Sequence, residues 1–415
     1  MISPAWWAVT SKISDRDTAR ALLSASAVRT RANEIYALAE ADKLEHWRLN
    51  AQALPACADF VADVVRKNYP ALAIPFHARW RHFVFNGRDL WAATASNAAW
   101  TSADARARAE FDLAITSVLL DAGAGAAWRY RDDLTDIEAA RSEGLALASL
   151  RLFEWGGFSA DPRDPLRADA EALARFDAQS LGDAFQVSER NPLAGLDGRA
   201  RLLNRLGHTV DAHPHLFALA DGPRPGGLYD LLRARVSNNE LPAPVILEAL
   251  LAGLGPIWEN RPSLGGVPLG DCWNVPGLGF VPLHKLSQWL AYSLIEPLER
   301  AGVRVTDIDG LTGLAEYRNG GLFIDAGVLE LRDAAALARV HDVSDPLVVT
   351  WRSMIVALLD RIAPLVRERL GVTADAFPLA RVLEGGTWAA GRAIAKRKRA
   401  DGGPPLLIHS DGTVF

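Results

Sequence analysis

The feature that most constrains the fold is a long helical pattern near the C-terminal end of the sequence. Its apolar side chains recur at three- and four-residue steps and share one helix face: Trp351, Ile355, Leu358, Leu359, Ile362, Val366 and Leu370. Asp345 and Pro346 suit the first positions of such a helix, and Gly371 suits the position after its last turn. The spacing therefore predicts a long helix over residues 346–370 whose apolar face packs against other elements.

Further helical patterns indicate a mainly α fold. Three more apolar stripes are formed by Phe111, Ile115, Val118 and Leu119, by Leu247, Leu250, Leu251 and Leu254, and by Leu283, Leu286, Leu290 and Leu294. Strand patterns are few and short, at residues 303–305, 322–324, 328–331 and 406–409. A turn signal at Asp411 and Gly412 predicts a C-terminal hairpin. We expect a single large helical domain over residues 1–415, with a division into lobes 1–200 and 201–415 as the alternative.

Composition excludes several classes of protein. Apolar residues make up 49% of the 415 residues, and the formal net charge of -5 leaves no basic footprint for nucleic acid or a membrane surface. No apolar run approaches the ~18 residues needed to cross a bilayer, and no signal-peptide pattern opens the sequence. The two cysteines, Cys57 and Cys272, cannot form a disulfide framework, which is typical of a reducing compartment. We expect a cytoplasmic protein with no nucleic-acid or membrane partner.

Motifs for nucleotide cofactors and for acyl transfer do not occur in this sequence. No GxGxxG follows a strand pattern, and neither GxxxxGK[ST] nor GxSxG is found. One segment supplies ligand types for a transition metal: His208, Asp211, His213 and His215. Because Pro214 interrupts regular helical spacing there, we expect no cofactor and no metal. Metal-dependent hydrolysis stays an alternative.

Polar and aromatic residues concentrate first around the end of the helix that carries Phe111. A carboxylate there precedes a stretch of small residues and then a run of aromatic and cationic side chains: Asp121, Trp128, Arg129, Tyr130 and Arg131. Small residues let the backbone approach a ligand, and guanidinium groups pair with phosphate or carboxylate. This pattern favours a binding site, with a helix end and a surface loop as the alternative.

Two further segments have the same character. One contains Asp271, Trp273 and His284, followed by a helix face with Lys285, Gln288, Trp289 and Tyr292. The other places Glu316, Tyr317 and Arg318 in direct succession between apolar residues, where a buried charge must be paired. The alternatives are a solvated helix face and a structural ion pair. A second carboxylate and a phosphate-directed arginine could come from Glu384 and Arg392, beside Trp388; a tight turn is the alternative there.

These segments resemble the uracil-catabolism family of the URC pyrimidine-degradation pathway, over essentially the whole chain. The likeness is carried by residues 119–125, 128–131, 141–146, 283–290 and 311–321. The resemblance implies a pathway in which the uracil ring is opened and a ribosylurea-type intermediate then loses its sugar to give urea. The segment at Glu316 is also similar to the queuosine-nucleotide N-glycosylase salvage family, which has an active-site Asp before Tyr-Arg at this point.

This resemblance and the polar segments together predict hydrolysis of the N-glycosidic bond of a ribosylurea-type substrate carrying a 5'-phosphate. Because positive charge develops on the sugar, the reaction needs a fixed carboxylate near the anomeric carbon. We expect Glu316 in this role, Asp121 as the second candidate, and Tyr317 beside the leaving nitrogen. The expected substrate contacts are Arg318, Lys285, His284, Gln288, Trp289, Tyr292, Trp128, Arg129, Arg131, Asp271 and Trp273.

Two other functions stay open on the sequence alone. The chain could bind the product of the ring-opening enzyme without transforming it, in contact with other enzymes of uracil catabolism. It could also be a metal-dependent amidohydrolase of the same pathway that uses the histidine segment. Release of urea from ribosylurea would indicate the glycosidase, and binding without turnover would indicate the carrier. Loss of activity with a chelator would indicate the metal-dependent amidohydrolase.

Overall fold

Helices dominate the computed structural model, which describes residues 14–409. The mainly α fold predicted from the sequence is confirmed. The α-helices are α1 (Asp15–Leu22), α2 (Ala25–Glu40), α3 (Leu54–Asn68), α4 (Leu90–Asn97), α5 (Ala103–Leu119), α6 (Arg141–Glu154), α7 (Ala170–Ala174), α8 (Ala178–Ala184), α9 (Leu196–Ala212), α10 (Pro214–Phe217), α11 (Gly227–Arg233), α12 (Ala243–Leu254), α13 (Lys285–Arg300), α14 (Tyr317–Asp325), α15 (Pro346–Leu370), α16 (Leu379–Arg381) and α17 (Trp388–Lys398).

Short helical turns of other types connect some of these elements. The 3₁₀ turns are Ala51–Ala53, Arg79–Phe83, Gly255–Ile257, Ile308–Gly310 and Ala334–Ala338. A π-helical segment, Val382–Thr387, joins α16 to α17 and makes one interrupted helix of them. Such wide turns are frequent at functional sites.

Strands of the described region are short and pair only two by two. They are β1 (Trp47–Leu49), β2 (Val84–Phe85), β3 (Arg88–Asp89), β4 (Arg129–Asp132), β5 (Ile137–Ala140), β6 (Glu240–Pro242), β7 (Ser263–Leu264), β8 (Val267–Pro268), β9 (Cys272–Val275), β10 (Gly279–Pro282), β11 (Arg304–Thr306), β12 (Leu329–Leu331), β13 (Val340–His341) and β14 (Leu407–Ile408). The pairs β6–β11 and β13–β14 are parallel, whereas β1–β12, β2–β3, β4–β5, β7–β8 and β9–β10 are antiparallel.

The long helix predicted from the apolar repeat is α15, and it begins and ends where its flanking residues indicate. Pro346 is its first residue, and Gly371 follows it with a φ of 68°, the left-handed conformation that glycine adopts readily. The helix packs against α2 and α3. Its buried Trp351 stacks on Trp47 with ring centroids 6.3 Å apart. The helix is thus a central element of the core.

One predicted strand, at residues 322–324, is wrong, because these residues lie inside α14. Three apolar residues fit a buried helix as well as a strand, and here the side chain of Glu316 caps a helix start directly upstream. The predicted strand at 406–409 exists as β14, which pairs with β13. The second half of the predicted C-terminal hairpin, including Asp411 and Gly412, lies outside the described residues.

The buried apolar side chains form one continuous cluster that extends from Ala25 to Leu406. A second, small cluster joins Ala19, Leu269 and Cys272 under the β7–β8 hairpin. No helix in residues 14–409 combines the length and apolar character that crossing a membrane requires. On one side of the core, the end of α5 meets the starts of α6, α13, α14 and α17, and this junction positions the candidate site.

Candidate functional site

A cavity of about 320 Å³ lies at this junction of helix ends. Its size lies at the lower end of the range for small-molecule sites. Side chains that could carry chemistry line it, namely His77, His82, Asp121, Arg141, Ser142, Lys285, Trp289, Glu316, Tyr317, Arg318, Trp388 and Asp401. The small residues 122–126 and the segment 403–408 complete the walls. The cavity therefore unites the segment at Glu316, in full, with part of each of the other two polar segments.

Glu316 is a fixed carboxylate on the wall of this cavity. Only 5% of the residue is exposed, and it caps α14: Oε2 accepts a hydrogen bond from the Arg318 N–H at 2.7 Å, and Oε1 accepts one from the Asn319 N–H at 2.6 Å. Burial raises the pKa of Glu316, although the two N–H groups and the Lys285 ammonium act in the opposite direction. Because each carboxylate oxygen has more than one acceptor position, both can still accept from a ligand or water.

Asp121 is a second fixed carboxylate in the same cavity. The buried Arg79 guanidinium donates to Oδ1 at 2.7 Å, and the Ser142 hydroxyl lies 2.6 Å from both carboxylate oxygens. Ser142 belongs to the first turn of α6, so Asp121 also ties the end of α5 to the start of α6. Its position is set by charge-assisted hydrogen bonds, which are among the strongest polar contacts in proteins.

Lys285 brings a buried cation to the two carboxylates. The residue is 8% exposed, and its ammonium lies 5.7 Å from the centroid of the Trp289 ring. Burial lowers the pKa of Lys285, and the negative charges of Glu316 and Asp121 partly offset this effect. An anionic ligand group that paired with Lys285 would stabilise the charged form of its ammonium group.

Two arginines and a helix start give the cavity further affinity for anions. Arg141 is the exposed first residue of α6; the N-cap residue Ala140 makes no side-chain hydrogen bond there, and the Glu143 carboxylate in the first turn accepts one from its own backbone N–H. The remaining N–H groups and the helix dipole attract negative charge. Arg318 donates to the Gly402 carbonyl at 2.9 Å, and its guanidinium lies 4.9 Å from the Tyr317 ring centroid. This side of the cavity therefore carries positive charge.

Four rings surround another part of the cavity, and two of them were not predicted from the sequence. His77 lies 6.1 Å from Trp289 and 5.7 Å from Trp388, and His82 lies 5.6 Å and 6.1 Å from the same two rings. The His77 Nδ1 atom lies 2.6 Å from Oε2 of Glu384, which belongs to the π-helical segment. Only Trp289 is among the predicted substrate contacts, whereas Glu384 and Trp388 belong to the C-terminal segment from which a second carboxylate could come. No spacing motif marks His77 or His82.

The segment after α17 covers one side of the cavity. Gly403, Pro404, Leu406 and Ile408 line it, and β14 holds the segment to β13. The Arg399 guanidinium forms a two-bond ion pair with Asp325 at the end of α14. With the Arg318 bond to the Gly402 carbonyl, these contacts fix the segment against α14.

Most of the chain matches one protein family. The family model DUF1688, described as a protein of unknown function, matches residues 21–415. The chain belongs to the DUF1688 family. It is similar to Protein urg3 of Schizosaccharomyces pombe, with 39% identity over 408 residues that cover 96% of this chain and 99% of that protein. It is also similar to Uracil catabolism protein 4 of Lachancea kluyveri, with 35% identity over 435 residues that cover 94% of this chain and 98% of the relative.

Several predicted contact residues of this DUF1688 chain lie outside the cavity and support its walls. The Gln288 side-chain oxygen accepts from the Thr312 N–H at 3.3 Å, and the Tyr292 hydroxyl donates to the Thr312 carbonyl at 3.0 Å. Both residues thus hold the loop that leads to Glu316. The sequence placed them on one helix face with Lys285 and Trp289, but the structure directs only the latter two to the cavity.

The aromatic and cationic run after Asp121 also points away from the cavity. Trp128 is fully buried, donates to the Phe185 carbonyl at 2.9 Å and stacks on the Phe185 ring. Arg129 donates to nearby backbone carbonyls, and Arg131 forms an exposed ion pair with Asp136. In this DUF1688 chain, the run forms the β4–β5 hairpin beside the site.

Asp271, Trp273 and His284 form the support beneath Lys285. Asp271 accepts from the Trp273 indole at 2.8 Å and from the Lys285 backbone N–H at 3.0 Å. Burial acts to raise the pKa of Asp271, but the Arg352 guanidinium holds it well below its ordinary value. The His284 Nε2 atom lies 2.9 Å from the Leu22 carbonyl. These contacts fix the start of α13 and thereby the origin of the Lys285 side chain.

The histidine segment does not assemble into a metal-binding group. Within residues 14–409, no set of three or more His, Cys, Asp or Glu side chains has the proximity needed to hold a metal ion. His213 and His215 lie with ring centroids 5.9 Å apart, and the His213 Nδ1 atom is 2.7 Å from the Thr209 carbonyl. His208 and Asp211 instead face a surface groove next to α7.

Proposed function

We propose that this DUF1688 protein acts in uracil catabolism and hydrolyses the N-glycosidic bond of a ribosylurea 5'-phosphate. Water and the substrate would give urea and ribose 5-phosphate. The name of the relative Uracil catabolism protein 4 supports the pathway. The observation that carries the proposal is the buried, doubly hydrogen-bonded carboxylate of Glu316 in one cavity with Asp121 and Lys285.

Glu316 has the features required to stabilise a ribosyl cation. As the C–N bond breaks, positive charge develops on the sugar ring, and a negative group that is already in place lowers the energy of this state without rearrangement. The N–H groups of Arg318 and Asn319 hold the carboxylate in a buried setting, where electrostatic interactions are stronger than in water. The same carboxylate would orient the attacking water and accept its proton. Asp121 is the alternative for this step.

The anion-binding side of the cavity fits the 5'-phosphate. Arg141 at the start of α6, the Lys285 ammonium and the Arg318 guanidinium supply cationic donors, and forked guanidinium groups suit phosphate oxygens. Tyr317 adds a hydroxyl and a ring face beside Arg318 for the sugar. Binding of the remote phosphate would supply energy that holds the reacting atoms in position.

A non-catalytic role is the second candidate, and one observation favours it. Both Glu316 oxygens already accept backbone hydrogen bonds, as the side chain of a helix cap does in a purely structural setting. The cavity would then bind a ring-opened ureido compound and hand it to another enzyme of uracil catabolism. This candidate requires saturable binding without turnover.

The test is to incubate the purified chain with ribosylurea 5'-phosphate and to follow urea and ribose 5-phosphate by NMR. We expect both products in equal amounts from the unaltered protein and a loss of about 10²-fold or more in Glu316→Gln. Glu259→Gln, at a carboxylate that does not line the cavity, is the matched control and should retain the rate. Binding of the substrate without release of urea would favour the carrier and contradict the hydrolase.

A further inference from the structure

His77 is held in place at the cavity by two contacts to one interrupted helix. Its backbone N–H donates to the Ala380 carbonyl at 3.0 Å, and its Nδ1 atom lies 2.6 Å from Oε2 of Glu384. His77 lines the cavity, whereas Glu384 lies behind it. A carboxylate at one ring nitrogen fixes the orientation of an imidazole and stabilises its protonated form. The other nitrogen, Nε2, is left for a ligand.

The π-helical segment accounts for the closeness of Glu384 to His77. Glycines at 385 and 386 let this wide turn approach its neighbours: an added Cβ would lie 2.5 Å from Cδ1 of Ile74 at the first position and 2.9 Å from Cγ1 of Val61 at the second. The turn therefore packs directly against α3 and the segment before His77. Glu384 and Trp388, four residues apart, both reach the His77 ring from this turn.

His82 shares the two tryptophans with His77 but has a different electrostatic setting. Burial and then the positive charge of Arg79 lower the pKa of His82, and the Arg79 guanidinium nitrogen lies 3.3 Å from its Nδ1 atom. No carboxylate makes a hydrogen bond to the His82 ring among the described residues. His82 therefore stays neutral at physiological pH, whereas the His77 ring has the Glu384 carboxylate as its hydrogen-bond partner.

The same ring cluster contains a hydrogen-bond donor that has no partner among the described residues. The Trp289 indole N–H is buried and has no hydrogen-bond partner among residues 14–409. A buried donor without a partner is costly, and a ligand acceptor would remove that cost. Two tryptophan rings and an unpaired N–H suit a planar group with a carbonyl oxygen, which is the form of a ureido group.

We propose that His77 is the proton donor to the ureido leaving group and that Glu384 is its positioning residue. The inference rests on the proposed function and deepens it. The imidazolium Nε2–H proton moves to the ureido oxygen as the C1'–N bond breaks, and the bond electrons stay with the nitrogen. Water adds to C1' and gives one proton to Glu316. The departing isourea form becomes urea by proton exchange with water, and solvent restores both side chains.

Leaving-group dependence tests this role. The unaltered protein, His77→Gln and Glu384→Gln would each be assayed on ribosylurea 5'-phosphate and on 4-nitrophenyl riboside 5'-phosphate, whose leaving group needs no proton. We expect His77→Gln to lose about 10²-fold or more on the ureido substrate and less than about tenfold on the nitrophenyl substrate. Glu384→Gln should show a smaller loss with the same preference. His82→Gln is the matched control, because any loss there should be similar for both substrates.

The preference between the two substrates separates the donor role from the hydrolase proposal. Equal losses on both substrates in His77→Gln would overturn the donor role while the hydrolase proposal stands. An unaltered protein that releases no urea would overturn both.

Discussion

Arg352 and Asp271 form a largely buried ion pair with two hydrogen bonds, of 2.7 and 2.8 Å, directly beneath the start of α13. Arg352 is fully buried within α15, and Asp271 accepts in addition from the backbone N–H of Lys285. The pair thus connects the central helix of the core to the residue that brings a cation into the cavity. Its integrity should affect stability and ligand binding together.

Removal of one partner of this pair should be strongly destabilising. In Arg352→Met the largely buried Asp271 carboxylate loses its guanidinium, and loss of one partner from a buried pair costs up to about 3–5 kcal/mol. Urea unfolding would measure the free energy of unfolding of this variant. Arg131→Met removes an exposed ion pair and should change that free energy by less than about 1 kcal/mol. Equal changes in the two variants would contradict the structural role of the buried pair.

The same pair predicts a dependence of stability on pH. The folded protein holds the pKa of Asp271 below its unfolded value of about 3.9, so its contribution to stability is present above that pH and is lost as the pH falls. The difference in free energy of unfolding between the unaltered protein and Asp271→Asn should therefore be largest at neutral pH and shrink below about pH 4. A difference that stays constant from pH 7 to pH 3 would contradict a stabilising role of the ionised Asp271 carboxylate.

Glu316 should matter more for activity than for stability. Burial raises the pKa of Glu316, because the ionised carboxylate is more costly to bury than a neutral group, and Glu316→Gln removes that cost while one capping oxygen remains. We expect the free energy of unfolding to change by less than about 1.5 kcal/mol, within the range for loss of a helix cap. Thermal unfolding would measure the stability of the variant, and urea release from the substrate would measure its activity. Unfolding of the variant at assay temperature would show that Glu316 is mainly a cap.

Gly391 controls the distance between α17 and α14. A Cβ at this position would lie 2.2 Å from the Arg318 carbonyl oxygen, so Gly391→Ala must push the two helices apart. We expect a loss of about 1–3 kcal/mol in the free energy of unfolding, together with weaker ligand binding. Gly182→Ala in α8 is the control, since its nearest neighbour is 3.4 Å away and alanine favours a helix. Retained stability in Gly391→Ala would contradict the close packing.

Local patterns predicted the elements and part of the site, and long-range contacts account for the remainder. The α15 boundaries follow from Pro346 and Gly371, which act within a few residues of themselves. Glu316, Asp121 and Lys285 stand out because charged groups among apolar or small residues are uncommon. His77 could not be found in this way, because its partner Glu384 is 307 positions distant and reaches it through a π-helical turn that no local pattern marks.

The sequence also did not predict that some residues on one face of α13 line the cavity while others bind the backbone of a neighbouring loop. Lys285 and Trp289 face the cavity, whereas Gln288 and Tyr292 bind the backbone of Thr312. Helical spacing places all of them near one another, but only the path of the loop before Glu316 decides which of them meet a ligand. That path depends on tertiary packing.

The segment 403–408 that covers the cavity has a consequence for synthesis of the protein. Every other wall comes from residues translated earlier, and this segment is fixed by pairing with β13 and by the Arg318 bond to the Gly402 carbonyl. A nascent chain that still lacks these residues therefore lacks one wall of the cavity. Ligand binding should thus begin only after translation has passed this point, so truncated products would have no competent pocket.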